Sequence, residues 1–159
     1  MSQPKLSSSG AAVIDANILI SICSQESSHA TAESALADYT SRNWAFYAPS
    51  AILTEVLFVL CKKHQNGVID AATYKKSVED FNDYMSVILP PPGGDVALLL
   101  RAEEISSGYS CLHTTDGFYI ALAEELAKHG DAEFVTFDKG VVNVAAKNAT
   151  TVKINLLPA

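Results

Sequence analysis

The 159-residue chain is 48% hydrophobic and 18% charged, which suits one globular domain with a sizeable core and excludes a disordered polymer. Its formal net charge of −7 excludes coating of nucleic acid through the average field. Contact with RNA or DNA would need a local basic patch, a bridging metal or a basic partner. The three cysteines, Cys23, Cys61 and Cys111, are far apart with no C-x-x-C pair. They give neither a zinc site nor a disulfide framework and suit reduced thiols in a cytoplasmic protein.

Residues 1–10 read as a loose polar arm without an apolar signal segment, and residues 11–159 as one domain. Residues 11–14 form the expected first strand and 17–23 a short helix. Ser27-Ser28-His29 starts the next helix, with Ala32, Ala35, Leu36 and Tyr39 on its apolar stripe. A second strand is expected over 44–48. Pro49-Ser50 then opens an apolar helix over 51–64, stopped by Gly67. Residues 70–84 form an amphipathic helix capped by Asp70. A third strand over 85–89 ends at the rigid turn Pro90-Pro91-Pro92-Gly93-Gly94. Helices over 95–107 and 115–129, a strand over 133–137, a short helix over 139–147 and a strand over 150–154 complete the chain. No apolar run reaches membrane-spanning length without a charge, because Asp15 and Glu55 interrupt the two best stretches, and no membrane association is expected.

Strands separated by helical crossovers imply a three-layer α/β/α fold around a mostly parallel five-stranded sheet. Functional residues in such sheets gather at the carboxyl ends of the strands. Two acids fall there. Asp15 follows Val13-Ile14, and Asp138 follows Val135-Thr136-Phe137. Asp116 begins the helix Asp116-Gly117-Phe118-Tyr119-Ile120-Ala121. Glu55 lies inside Ile52-Leu53-Thr54-Glu55-Val56-Leu57-Phe58, with no cation at helical spacing. Each has a plain structural reading. Asp15 and Asp116 suit helix N-caps, Asp138 a turn before Lys139-Gly140, and Glu55 a narrow polar stripe with Lys62 and Gln65. All four together are better explained by convergence. Two carboxylates ~4 Å apart at an effective dielectric of ~20 repel by about 4 kcal/mol, so a cluster needs protons or a divalent cation. All-oxygen ligands favour Mg²⁺ or Mn²⁺ over zinc, and such ions keep the open positions that phosphate chemistry uses. Asn17, Ser50, Thr115 and Thr136 are candidates to orient the acids by hydrogen bonding. His113 is a weaker candidate for the same site, and Lys62-Lys63-His64 and Lys75-Lys76 for phosphate contact.

These motifs resemble the PIN-domain nucleases, and in size and order the VapC-type toxins of toxin–antitoxin pairs. The resemblance rests on Asp15-Ala16-Asn17, Ser50 with Glu55, Thr115-Asp116-Gly117 through Ala123, and Thr136-Phe137-Asp138-Lys139. It implies a metal-dependent endoribonuclease with Asp15, Glu55, Asp116 and Asp138 as catalytic and metal-binding acids. It also implies 5′-phosphate and 3′-hydroxyl products, a homodimer and a cognate antitoxin whose Arg could enter the acids. Two departures stand beside the motifs. Gly117 occupies a position where the family often has Ala, and Gly140-Val141 stands after Asp138 where an acidic or aromatic residue is common. A receiver-like regulatory module that binds metal without cleaving is a rival, but Glu55 has no place in it. Asn17 in place of a second Asp disfavours a D-x-D phosphatase. A PIN-fold scaffold that only binds RNA or protein is the third alternative, opposed by the retention of all four acids. Tyr39, Trp44, Phe46, Tyr47, Leu57, Phe58 and Leu60 either fill the core or leave an apolar patch for protein contact.

Overall fold

In the computed structural model, which describes residues 7–111, 114–149 and 151–159, short apolar segments alternate with helices as the sequence pattern requires. Strands β1 (Gly10–Ile14), β2 (Trp44–Tyr47), β3 (Ala132–Thr136) and β4 (Lys153–Leu156) form one parallel sheet in the order β2-β1-β3-β4. Helices α1 (Ala16–Cys23), α2 (His29–Ser41), α3 (Ala51–Gln65), α4 (Ala71–Met85), α5 (Leu99–Ser107), α6 (Thr114–Ala127) and α7 (Lys139–Asn148) make the crossovers. Ala12, Val13 and Ile14 of β1 and Phe134 and Val135 of β3 are essentially inaccessible to solvent. Side chains on both faces of a central strand are therefore buried, which is why these strands read as continuous apolar runs. Ile14 lies opposite Val135, so Asp15 and Thr136 emerge side by side at the carboxyl edge of the sheet.

The expected five-stranded sheet has four strands. Residues 85–89 contribute a single parallel bridge, Tyr47 to Leu89, in which the Leu89 amide donates to Phe46 O and the Ala48 amide to Leu89 O. Helix α4 runs on through Met85 and takes the start of that segment. Pro90, Pro91 and Pro92 then lack the amide donors a ladder needs, so pairing cannot extend. Residues 95–107 divide into a one-turn 3₁₀ helix, Asp95–Leu98, and α5, while the last strand starts at Lys153 instead of residue 150. Of the polar arm, residues 1–6 lie outside the described residues. Ser9 is tied to the α2–β2 turn by its amide on Asn43 O (2.9 Å).

Helices α5, α6 and α7 are clamped together. Arg101 of α5 donates Nε to Glu124 Oε1 (2.7 Å) and Nη2 to Glu124 Oε2 (3.0 Å) on α6, and Nη2 to the Asn148 carbonyl (2.6 Å) at the end of α7. A planar guanidinium fork suits this two-point grip on a carboxylate. It fixes α6, which carries Asp116, against α7, which follows Asp138. Among the described residues no helix is long and apolar enough to cross a membrane.

Candidate active site

Asp15 occupies the N-cap position of α1 but makes no side-chain cap hydrogen bond. Its carboxylate turns instead toward β3. Oδ2 accepts from Thr136 Oγ1 (2.5 Å) and from Asn17 Nδ2 (2.9 Å). The network continues outward: Asn17 Nδ2 also donates to Thr136 Oγ1 (3.1 Å), the Asp138 amide donates to Thr136 Oγ1 (2.9 Å), and the Phe137 amide donates to Asn17 Oδ1 (3.3 Å). Asn17 of α1 and Thr136 of β3 thus both hydrogen-bond one oxygen of this carboxylate. Asp15 is buried, and none of the ion pairs among the described residues brings it a Lys or Arg. Burial pushes its carboxyl pKa up to about 7; the Thr136 bond opposes this, and the charges of Asp116 and Glu55 add to it.

Glu55 does not share an exposed polar stripe with Lys62 and Gln65. It is half-buried and faces α6, where Tyr119 Oη donates to its Oε1 (2.9 Å). Burial raises its pKa, the Tyr119 bond lowers it and the charge of Asp116 raises it further. Asp116, half-buried in the first turn of α6, therefore shares one electrostatic field with Asp15 and Glu55.

Asp138 differs from these three. It is exposed, and Oδ1 accepts from the Gly140 amide (2.7 Å), so it caps α7 where the sequence suggested a simple turn. Its backbone joins the Thr136 network while its carboxylate faces solvent. Ser50 does not act as a side-chain cap; its amide donates to Asp95 Oδ1 (3.0 Å). Among the described residues, no side-chain hydrogen bond joins Ser50 or Thr115 to the acids. His113 lies outside the described residues.

Tyr119 is the functional residue that sequence reasoning passed over, because it sits in an apolar run. It is fully buried, its ring stacks on Phe134 (centroids 5.5 Å, planes 9° apart), and its hydroxyl meets Glu55. Burial first, then the charges of Glu55 and Asp15, drive the phenol pKa upward, so the hydroxyl remains a donor. A tyrosine one helical turn after Asp116, on the buried side of α6, was the available signal: a buried phenol needs a partner. Tyr119→Phe is expected to free the Glu55 carboxylate, costing about 1 kcal/mol of stability and roughly tenfold in metal affinity, measured by Mn²⁺ titration.

Among the described residues no three His, Cys, Asp or Glu are already drawn together as a closed metal cage. The donor set nonetheless fits a hard divalent ion. It offers a desolvated carboxylate with no cation, two further acids whose charges act on it, and only oxygen ligands. Residues 12–147 match the PIN-domain family model. The chain belongs to the PIN-domain family. PIN domains are nucleases. The fold is also similar to a chain in the crystal structure of VapBC2 from Rickettsia felis bound to a DNA fragment from its promoter. The TM-score is 0.62 at 11% identity, covering 93% of this chain and 99% of that one. No curated protein matches the chain in sequence.

The departure at Gly117 from the common PIN pattern has a packing cause. A Cβ there would lie 2.5 Å from Ser106 Oγ and 2.7 Å from the Ala102 carbonyl oxygen of α5. Helices α5 and α6 approach too closely for alanine right beside Asp116. Gly117→Ala should destabilise the protein by about 1–3 kcal/mol despite the ~1 kcal/mol helix-propensity gain. Thermal melting checks this, and an unchanged or higher midpoint would contradict the packing account.

Proposed function

We propose that this PIN-domain protein is a divalent-metal-dependent endoribonuclease acting as the toxin of a toxin–antitoxin pair. The observation that carries the reading is Asp15: a buried carboxylate without a cation, fixed by Thr136 and Asn17 at the carboxyl edge of the central strand, in the field of Glu55 and Asp116. Asp15, Glu55 and Asp116 would hold Mg²⁺ or Mn²⁺, and Asp138 would complete the acidic rim. When bound, the ion supplies an acidified water and charge neutralisation at a phosphate oxygen. The chain's own contribution is orientation. Thr136 and Asn17 fix Asp15, and Tyr119 fixes one oxygen of Glu55. The Arg101 clamp keeps α6 and α7 in register.

The toxin role draws on the likeness in fold to the VapBC2 chain, together with an acidic site that an antitoxin Arg fork would match. We place the protein in the cytoplasm and as a two-fold dimer. Leu53 and Leu57 on α3, with Val96 and Leu100, are exposed and suited to a protein contact, whereas Tyr39 and Leu60 fill the core. Light scattering at micromolar concentration should give a dimer mass, and a strictly monomeric mass would reject the dimer. Incubation with total RNA in Mg²⁺, Mn²⁺ or EDTA tests the activity. Endonucleolytic products with 5′-phosphates are expected in either metal and none in EDTA. Intact RNA in both metals would reject the reading.

A further inference from the structure

Helix α3 carries more toward the site than Glu55. Phe58 and Lys62 stand three and seven residues beyond it, on the same flank of the helix and roughly 5 and 10 Å along its axis at the usual rise. Phe58 is 63% exposed and is the one aromatic among the exposed large apolar side chains of the described residues. Lys62 Nζ lies 6.0 Å from the Phe58 ring centroid and makes no ion pair among the described residues. Neighbouring lysines differ. Lys63 pairs with Glu26 (2.5 Å) and Lys76 with Asp80 (2.8 Å). Lys139, next to Asp138 in sequence, also lacks an ion pair among the described residues.

An open aromatic face with a cation over it, one turn from a phosphodiester-cutting site, fits an unpaired nucleobase and its phosphate. Aromatic stacking is indifferent to base identity but requires the base face to be free, which a duplex denies. Leu53 and Leu57 lie on the other flank of α3, so the protein contact proposed above does not need Phe58. Resting on the nuclease reading, we infer that single-stranded RNA runs along the Glu55–Phe58–Lys62 flank. A base next to the cleaved bond stacks on Phe58, and the adjoining phosphate meets Lys62.

Fluorescence anisotropy with an end-labelled single-stranded RNA of mixed sequence tests this in an Asp15→Asn background, where the probe stays uncut. Phe58→Ala should weaken binding by about tenfold or more, and Phe58→Trp should retain it. Lys62→Gln should lower the slope of log affinity against log salt by about 0.7. The matching duplex should bind weakly and respond to neither Phe58 substitution. Affinity of Phe58→Ala within twofold of its parent, or no binding by the parent, would overturn the inference. If that variant instead changed the mass in light scattering while keeping RNA affinity, Phe58 would belong to a protein contact, and the inference would again fail. Cleavage by the unaltered protein alongside unchanged Phe58→Ala affinity would defeat this inference alone. Absence of cleavage by the unaltered protein would defeat the nuclease reading, while the anisotropy series still decides the stacking.

Discussion

Asp15→Asn is expected to reduce RNA cleavage by on the order of 10³-fold and, at the same time, to stabilise the metal-free protein at alkaline pH. The two effects share one cause. Asn keeps the shape of Asp15 and an oxygen able to accept from Thr136 and Asn17, but it loses the charge that a metal needs. In the metal-free protein that charge is a liability, since the carboxylate is buried, without a cation and within the field of Glu55 and Asp116. Its pKa lies at about 7 in the folded chain against 3.8 for the free side chain. Removing it should therefore raise stability at about pH 8 by on the order of 3 kcal/mol, several degrees in melting temperature. Near pH 5, where folded Asp15 holds its proton but the unfolded side chain has released its own, the gap should shrink by more than half, and it should close only below about pH 4. A metal-free variant less stable than its parent at alkaline pH would show that the carboxylate has a favourable partner after all, and the metal reading would lose its main support.

Much of this site was legible because its logic is local. A carboxylate at the end of an apolar strand announces itself, and Thr136, two residues before Asp138 on a neighbouring parallel strand, can reach it once the strand order is known. The structure brings Asp15, Glu55 and Asp116 into one field, and for Asp15 and Glu55 the apolar sequence on either side offered no cation. Asp138, plainly readable as a turn residue before Lys139-Gly140, proves to cap α7 through the Gly140 amide. Tyr119 was hidden because aromatic residues in a helix are ordinarily core, and its hydroxyl acquires meaning only when α3 brings Glu55 alongside. The extra strand over 85–89 failed for a different reason. Alternation and apolar content promise a strand, but pairing is a property of two chains, and three consecutive prolines remove the donors just where a ladder would lengthen. Gly117 could be seen as unusual in sequence; only the approach of Ala102 and Ser106 explains it.

Metal and proton should compete for Asp15, and this gives the second large effect. The sign follows from the raised pKa. Between about pH 4 and pH 7 the folded state holds a proton that the unfolded chain has released, so metal-free stability is greatest below that window. It is lost as pH rises through about 7. Mg²⁺ or Mn²⁺ acts in the opposite sense, because it binds the deprotonated carboxylate. Its apparent affinity should fall by roughly tenfold per pH unit below about pH 7. At about pH 8, metal at a hundredfold excess over its dissociation constant should add about 2.7 kcal/mol, a rise of several degrees in melting temperature. At about pH 5 the same concentration should add almost nothing, and EDTA should return the alkaline sample to its lower midpoint. Asp15→Asn and Asp116→Asn should each flatten the metal response at both pH values, by removing the competed ligand or its neighbour. Melting curves at the two pH values, with and without Mn²⁺, decide the matter. A metal shift that is independent of pH, or that survives Asp15→Asn unchanged, would place the ion away from the carboxyl edge of β1 and separate it from the acids that the Thr136 network and Tyr119 hold in place.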